Sequence, residues 1–211
     1  MLAIDLGASS GRGIVGTFDG EKLSLAENHR FPSDPVTVAG TFQWDILRIF
    51  YEIKQAINKC ALSDDRDIAT IGIDTWGVDY GLLDKNGKLL KNPTHYRDTR
   101  TVGIQDYAEK FMPKKKLYEI TGIQFCDFNT VWQLAAELRD NPELDPAVDK
   151  MLNIPDLLNY FLTGKMQSEY TIASTGALLD ARTGKWSKEI IDAFGIPEKW
   201  FAPLVHPGTV V

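Results

Sequence analysis

The chain has 211 residues, of which 44% are hydrophobic and 25% are charged, a composition typical of a globular protein that buries a core without disulfides. Its formal net charge of −6 gives no reason to expect nucleic acid or an anionic membrane as a partner. The sequence shows no signal-peptide pattern and no apolar run of about 18 residues, so we expect a cytoplasmic protein. Cys60 and Cys126 lie far apart and predict reduced thiols rather than a metal site.

In chain order, the first elements predicted are strands, followed by one helix. Residues 2–6 and 11–18 are rich in β-forming residues, and the dipeptide Asp19-Gly20 predicts a hairpin that returns through 21–31. The segment 32–44 is rich in turn residues and predicts irregular structure. From about Asp45, apolar residues recur with helical spacing up to Cys60.

The run 69–74 predicts a short buried strand, and Asn86-Gly87 predicts a second hairpin. Beyond residue 96 the pattern is mostly helical. Asn129 is the expected N-cap of one helix, 151–164 predicts a strand running into a helix, and 185–195 predicts a last helix before a loop. Hairpin-linked strands, a helix and a strand that should pair in parallel indicate an α/β domain with a mixed sheet.

The stretch IDLGASSGR (4–12) places small residues between a carboxylate and a cation. Backbone N–H groups in such a turn can approach an anion, Ser9 and Ser10 add hydroxyl donors, and the guanidinium of Arg12 matches phosphate oxygens. Asp5 could hold a hydrated Mg²⁺ ion. A tight hairpin with Arg12 on a solvated face explains the pattern equally well, and the stretch is neither a Rossmann nor a Walker A loop.

Two further stretches carry candidate ligand-binding residues. In IGIDTWGVDYGLLD (71–84), Trp76 and Gly77 follow a strand end, where open α/β sheets bind ligands, and Asp79 comes two residues later. A core aromatic and a turn glycine are the alternative. The stretch HYRDTRT (95–101) crowds two arginines and an aspartate into four positions, which could clamp hydroxyls or a carboxylate, although a structural ion-pair network is the more common origin of such a cluster.

Together these stretches resemble the N-terminal half of the FGGY-type carbohydrate kinases, within the actin/hexokinase/Hsp70 superfamily. The matching segments follow the family's order across 1–211: IDLGASSGR, IGIDTWGVDYGLLD, YRDTRT, TGIQF, PDLLNYFLTG, EYTIASTGALLD and HPG. The resemblance implies a ribonuclease H-like/actin-like ATPase fold of the α/β class, whose first, N-terminal domain has a mixed sheet flanked by helices.

The resemblance implies transfer of a phosphate from ATP, with Mg²⁺, to the 1-hydroxyl of L-rhamnulose, giving L-rhamnulose 1-phosphate. Another ketose or a polyol as substrate, or a non-catalytic sugar-binding module of the same fold, are the alternatives. The resemblance further implies a C-terminal ATPase domain outside this chain, which would supply the general base and the adenosine pocket.

The resemblance also implies roles for individual residues. Asp5 would hold Mg²⁺, through water, and would act in catalysis with Arg12. The phosphates of ATP would lie against the first hairpin, at Ala8, Ser9, Ser10, Gly11 and Arg12. The sugar would lie near two segments, at Trp76, Gly77, Val78 and Asp79 in the first and at Gln124, Phe125, Asn129 and Thr130 in the second.

Overall fold

The computed structural model describes residues 1–63 and 67–211. The strands are β1 Leu2–Leu6, β2 Ser10–Phe18, β3 Leu23–Pro32, β4 Val36–Val38, β5 Thr41–Gln43, β6 Ile71–Thr75, β7 Tyr80–Leu83, β8 Lys150–Asn153, β9 Ser168–Glu169, β10 Leu179–Asp180, β11 Lys185–Trp186 and β12 Leu204–Val205. The α-helices are α1 Ile46–Leu62, α2 Ile104–Ala108, α3 Lys114–Thr121, α4 Thr130–Asp140, α5 Ile154–Thr163, α6 Tyr170–Ser174 and α7 Lys188–Ala193. Three short 3₁₀ turns cover Thr99–Thr101, Pro142–Ala147 and Glu198–Trp200.

The main sheet has the strand order β3-β2-β1-β6. The strands β1, β2 and β3 form an antiparallel meander, whereas β6 runs parallel to β1. The hairpin predicted at Asp19-Gly20 is confirmed, and Gly20 adopts a φ of 106° that a side chain would strain. The predicted mixed α/β sheet is therefore confirmed.

Helix α1 covers one face of this sheet. The helix begins where predicted, and its N-cap is Asp45, whose carboxylate accepts a hydrogen bond from the backbone N–H of Arg48 at 3.1 Å. The sheet packs closely on the helix, because a Cβ added at Gly13 would lie 2.8 Å from the Cβ of Ala56. Alternate residues of β1 point into this interface, and the others point to the opposite, open face.

The strand predicted within 69–74 is present, but the prediction that it is buried is wrong. The strand exists as β6, but among the described residues β1 is its only strand neighbour, so that β6 forms an edge of the sheet. The side chain of Ile71 is 44% exposed. An apolar run in the sequence cannot distinguish an edge strand from a central one, because both are rich in β-branched residues.

The prediction of irregular structure across 32–44 is also wrong. Strands β4 and β5 form a small hairpin within this segment. Its turn contains Ala39 with φ of 49° and Gly40 with φ of 83°, and two successive residues with positive φ match the twist of a two-residue hairpin. Alanine seldom adopts this conformation, which is why the composition gave no hairpin signal.

The antiparallel pair β7–β8 lies between two hydrophobic cores. Leu83 packs into the core that the main sheet forms with α1 and α5, whereas Leu82 packs into a second core built mainly around α4 and α7. The turn predicted at Asn86-Gly87 is confirmed, with Gly87 at φ of 73°. The helices predicted within 151–164 and 185–195 correspond to α5 and α7. None of the helices in the described part of the chain is long and apolar enough to cross a membrane.

Candidate functional site

The open face of the main sheet carries four charged side chains in one row, the outermost being Arg30 on β3, opposite Arg12. Asp5 on β1 lies opposite Arg12 on β2 and beside Asp74 on β6, and residues in register on neighbouring strands project to the same face. The guanidinium of Arg12 forms an ion pair with the carboxylate of Asp5, and the two side chains are 41% and 37% exposed. Carboxylate oxygens are the ligands that Mg²⁺ prefers, so the row fits a metal held partly by water.

The hairpin turn between β1 and β2 is braced by Ser33. The backbone N–H of Gly7 donates to the carbonyl of Ser10 at 2.9 Å. The hydroxyl of Ser33 donates to the carbonyl of Gly7 at 2.9 Å, and its N–H donates to the carbonyl of Ser9 at 3.2 Å. Ser9 is exposed, whereas Ala8 and Ser10 are half-buried. The turn is therefore held by the residue that follows β3 and presents small residues to solvent.

Gly11 has a different environment from the rest of the hairpin segment. A Cβ at this position would lie 2.3 Å from the ring of Phe31 and 2.8 Å from the side chain of Leu6. Gly11 therefore faces α1, on the side of the sheet opposite Arg12. Close packing against Phe31 is enough to require glycine here.

The segment after β6 forms a strained turn. The N–H of Asp79 donates to the carbonyl of Gly77 at 2.9 Å, which closes a γ-turn with Val78 at its centre, at φ of 68°. Positive φ is strained for a β-branched residue, and such strain is concentrated at functional sites. The carbonyl of Val78 accepts hydrogen bonds from the hydroxyl of Thr130 at 2.8 Å and from the side-chain amide of Gln133 at 3.3 Å. Helix α4 therefore holds this turn in place.

Asp79 lies beneath the turn with both carboxylate oxygens engaged. It is 1% exposed and accepts hydrogen bonds from the indole N–H groups of Trp44 and Trp76 at 2.7 and 3.1 Å, the N–H of Tyr96 at 3.1 Å and the amide of Gln133 at 2.9 Å. Burial raises the pKa of Asp79 to about 6, although these donors pull it down. The Asp79 carboxylate therefore accepts hydrogen bonds from four donors of the protein, and we refer to it below as a hub.

A stack of rings supports this hub. The ring of Trp44 lies between those of Trp76 and His95, at centroid distances of 3.9 and 4.1 Å, and His95 stacks on Phe42 at 4.4 Å. The Nδ1 atom of His95 accepts a hydrogen bond from the N–H of Arg97 at 2.9 Å. Burial and the nearby Arg97 charge lower the pKa of His95 to about 4, so the imidazole is neutral. The stack is a rigid, uncharged floor.

The second predicted sugar segment, 124–130, divides into exposed and buried residues. Gln124 is exposed, whereas Phe125 packs edge-on against the α4 core. Asn129 is buried, and its side chain accepts from the N–H of Cys126 at 2.7 Å and donates to the carbonyl of Thr175 at 3.1 Å. Asn129 precedes α4 as predicted, but its side chain makes no capping bond to the helix, because its oxygen already binds Cys126.

The HYRDTRT stretch is largely structural. Arg100 forms an ion pair with the buried Glu137 at 2.8 Å, and Asp98 accepts the N–H of Arg100 at 2.9 Å and a backbone N–H of β5 at 2.7 Å. Arg97 is exposed, and its guanidinium lies 5.3 Å from the ring centroid of Tyr96. For Arg100 the ion-pair alternative is the correct one, and Asp98 is a structural acceptor of backbone N–H groups.

The residues predicted to bind phosphate and those predicted to bind sugar lie at the same end of the sheet, where β1 and β6 both end. Since β1 and β6 are parallel, with Leu6 beside Thr75, the hairpin turn 7–10 and the γ-turn segment 76–79 leave the sheet at the same end. Ligands of open α/β sheets bind at this end. Trp76 and Gly77 are half-buried there, and Phe128 lies nearby, edge-on to Tyr96 at 5.7 Å.

Sequence reasoning missed several residues that build this region, namely Trp44, Tyr96, Phe128, Gln133 and Thr175. Gln133 did carry a signal, since it is a polar residue within the otherwise apolar buried run 131–136 of α4. Trp44 carried none, because it meets Asp79 only through the fold. Within 1–63 and 67–211, no cluster of three or more histidine, cysteine or acidic side chains could hold a metal, so a metal at Asp5 would keep most of its ligands from water and phosphate.

The fold is that of solved sugar kinases, of which this chain covers less than half. The xylulose kinase of Lactobacillus acidophilus superposes with a TM-score of 0.88 at 20% identity, covering 100% of this chain and 42% of that one. The glycerol kinase of Plasmodium falciparum with ADP gives a TM-score of 0.77 at 20% identity, covering 96% of this chain and 42% of that one. At this level of identity the likeness shows the fold alone.

The model of the FGGY family of carbohydrate kinases, N-terminal domain, matches residues 1–211. The chain therefore belongs to the FGGY family. It is 44% identical over 207 residues to the rhamnulokinase of Bacteroides thetaiotaomicron and 42% identical over 210 residues to that of Oceanobacillus iheyensis, covering 98% and 100% of this chain. The chain spans 42% and 44% of the length of these two relatives.

Proposed function

We propose that this chain is the N-terminal domain of an ATP-dependent kinase that phosphorylates the 1-hydroxyl of L-rhamnulose. The observation that carries the proposal is the parallel register of β1 and β6, which brings the Asp5–Arg12 row and the turn at Gly77 to the same end of the sheet. Phosphoryl transfer depends on holding the acceptor hydroxyl next to the phosphate. The choice of sugar rests on the relatives named rhamnulokinase.

In this proposal the row on the open face handles phosphate and metal. Arg12 offers a planar fork of donors to phosphate oxygens, and Ser9 and Ser10 add hydroxyls on the turn. Asp5 holds Mg²⁺ through water, and the ion, when bound, neutralises charge on the ATP phosphates. Both roles require the Asp5–Arg12 ion pair to open. Mg²⁺ then takes the place of Arg12 beside Asp5, and phosphate takes the place of Asp5 beside Arg12.

The sugar lies against Trp76 and Gly77, where the half-buried indole supplies an apolar face and the glycine lets the ligand approach the backbone. Gln124 is exposed, and we assign its side-chain amide to a sugar hydroxyl. Val78, Asp79 and Asn129 are buried, so we assign them to shaping the pocket from below. We assign three parts of the active site to the C-terminal remainder of a longer protein: the general base, the second phosphate hairpin and the adenosine pocket. Because the proposed reaction uses ATP, we expect it to take place in the cytoplasm.

Titration calorimetry of L-rhamnulose into the 211-residue chain tests the sugar site. We expect a Kd on the order of millimolar, equivalent to about 4 kcal/mol, because one wall of the pocket is present. Absence of binding at tens of millimolar, in a chain with native circular dichroism, would contradict the proposal. Tighter binding of another ketose or of a polyol would replace L-rhamnulose as the substrate.

An ADP-release assay with L-rhamnulose, ATP and Mg²⁺ tests the division of labour. We expect no turnover by residues 1–211 alone, since a general base contributes about 10²–10⁴-fold. Turnover near 1 s⁻¹, modest for a kinase, would mean that the base lies within this chain, and Asp74, Asp79 and Asp98 would then be tested first. A full-length protein that binds the sugar without turnover would favour the non-catalytic alternative.

A further inference from the structure

A series of hydrogen-bonded, buried polar side chains connects Asp79 to the far side of α4. Gln133 is 1% exposed, and its side-chain oxygen accepts a hydrogen bond from the guanidinium of Arg100 at 2.7 Å. Since a guanidinium only donates, the amide oxygen must face Arg100 and the NH₂ group must face Asp79, at 2.9 Å. Arg100 therefore fixes which way the amide of Gln133 points.

Arg100 is itself held by a buried carboxylate. Glu137 is 1% exposed and accepts from Arg100 at 2.8 Å and from the ammonium of Lys91 at 2.5 Å. The planar fork of the arginine binds Glu137 through one terminal nitrogen and Gln133 through the other. A single-point cation could satisfy only one of these partners well.

This series of hydrogen bonds ends at the indole of Trp76, at the proposed sugar site. Both hydrogens of the Gln133 amide are engaged, since the NH₂ group donates to Asp79 and to the carbonyl of Phe128, each at 2.9 Å, and also to the carbonyl of Val78 at 3.3 Å. The other oxygen of Asp79 accepts the indole N–H of Trp76 at 3.1 Å. The ring of Trp76 is half-buried, so a displacement of the Asp79 carboxylate would be transmitted to the pocket surface.

We infer that Arg100 and Gln133 are positioning residues for the sugar, acting through Asp79 to fix the indole of Trp76 at the pocket wall. This inference rests on the proposed function, because it is the sugar that would contact Trp76. Neither Arg100 nor Gln133 is assigned a contact with the sugar. Their contribution is to remove the freedom of the indole, so that the pocket is formed before the ligand arrives.

Arg100→Lys is the decisive variant, because it keeps the charge opposite Glu137 and loses the bridge to Gln133. Gln133→Leu removes the bridge from the other side. Lys91→Met is the matched control, since it removes an ion pair of Glu137 and leaves the Arg100–Gln133–Asp79 connection intact. We expect the first two variants to weaken L-rhamnulose binding to the 211-residue chain about tenfold, and the control to change it less than twofold.

A ligand-free measurement separates positioning from loss of fold. The chain has five tryptophans, and 5-fluorotryptophan labelling gives each a ¹⁹F resonance that a Trp→Phe variant assigns. In Arg100→Lys and Gln133→Leu we expect the Trp76 resonance to move or broaden while those of Trp186 and Trp200 stay fixed. In Lys91→Met all five should stay.

The outcomes separate the inference from the proposed function. If the wild-type chain binds L-rhamnulose but Arg100→Lys and Gln133→Leu bind it equally well, or leave the Trp76 resonance unchanged, the inference is overturned and the proposed function stands. If the wild-type chain binds no sugar, the proposed function is overturned, and the inference about the sugar fails with it.

Discussion

The β1–β2 hairpin and the γ-turn segment 76–79 leave the sheet at the same end, but they are built in opposite ways. In the β1–β2 hairpin, Asp5 and Arg12 are seven positions apart in the chain, are more than one-third exposed and have one ion pair between them. In the γ-turn segment, Asp79 is 1% exposed and binds Trp44, 35 positions earlier, and Gln133, 54 positions later. One site is local and open to solvent, whereas the other is assembled from distant segments.

This difference follows from what each site has to do under the proposed function. An exposed ion pair costs little to open, since such pairs contribute about 0–1 kcal/mol, so charged ligands can replace it. A buried hub with all its donors paired is rigid and costly to disturb. We therefore expect changes in the hairpin to affect turnover and changes around Asp79 to affect folding and sugar binding.

The largest expected effect is on stability, from Asp79→Ala. Removing the carboxylate leaves the buried N–H groups of Trp44, Tyr96 and Gln133 without their acceptor, and unsatisfied buried donors cost about 1–3 kcal/mol each. Urea unfolding of the 211-residue chain should show a loss of about 4 kcal/mol. Asp5→Ala is the control and should cost less than about 1 kcal/mol. Equal losses would remove the contrast between the two sites.

The next effect is a dependence of stability on pH. Asp79 has a pKa of about 6 when folded, against 3.8 for an ordinary aspartate, so it holds its proton more tightly in the folded state. Stability contributed by this group is therefore lost as the pH rises from about 4 to 6, by about 3 kcal/mol. Burial raises the pKa of Asp156 to about 7, which acts in the same direction, and the lowered pKa of His95, about 4, acts in the opposite one.

Comparison with Asp79→Asn isolates the Asp79 contribution, because Asp156, His95, Arg100 and Glu137 are present in both proteins. The stability of the wild type relative to this variant should fall by about 3 kcal/mol between pH 4 and 7. A difference that stays constant with pH would mean that Asp79 is ionised across the whole range.

The third effect concerns turnover, in a full-length kinase that carries this sequence as residues 1–211. Arg12→Ala should lower kcat about a hundredfold, or roughly 2.7 kcal/mol, because it removes a charge-assisted contact to phosphate. Arg30 is the matched control, since it lies opposite Arg12 on β3 and pairs with Glu27. Arg30→Ala should change kcat less than about threefold. Unchanged turnover in Arg12→Ala at saturating substrates would exclude Arg12 from the reaction.

The smallest effect is on substrate affinity, from Gly77→Val in the same kinase. A Cβ at Gly77 would lie 3.2 Å from the hydroxyl of Thr175, so valine must displace Thr175 or shift the turn against which the sugar is proposed to lie. The KM for sugar should rise about tenfold, or 1.4 kcal/mol, with the KM for ATP nearly unchanged. Gly72→Val is the control, because a Cβ there has no neighbour within 4 Å. A parallel rise in both KM values would indicate misfolding.

The sequence predicted the local site better than the assembled one. The β1–β2 hairpin could be predicted because its signals, small residues between strand patterns, lie within a few positions of one another. The same is true of α1, whose apolar spacing and Asp45 cap are both local. The Asp5–Arg12 pair follows directly from that hairpin's register.

The assembled site could be predicted only in part, from the strand end that precedes Trp76 and from family resemblance. That resemblance pointed to Trp76, Gly77 and Asp79, but gave no indication that Asp79 is a buried hub, since its environment comes from Trp44 and α4. Asn129 shows the same limit: its position before a helix was predictable, whereas the competing bond to Cys126 depends on how the loop folds. Long-range packing decides what each polar side chain binds.

The edge position of β6 has a consequence for the behaviour of this chain in solution. An edge strand carries backbone N–H and C=O groups that can pair with a further strand, and here Ile71 is 44% exposed, while Met1 and Phe18 on neighbouring parts of the sheet are 51% and 61% exposed. Such an edge acts as a template for strand addition, and two copies of the chain could pair along it. Light scattering should therefore show self-association that grows with protein concentration, and a lysine at position 71 should suppress it by adding charge to the edge.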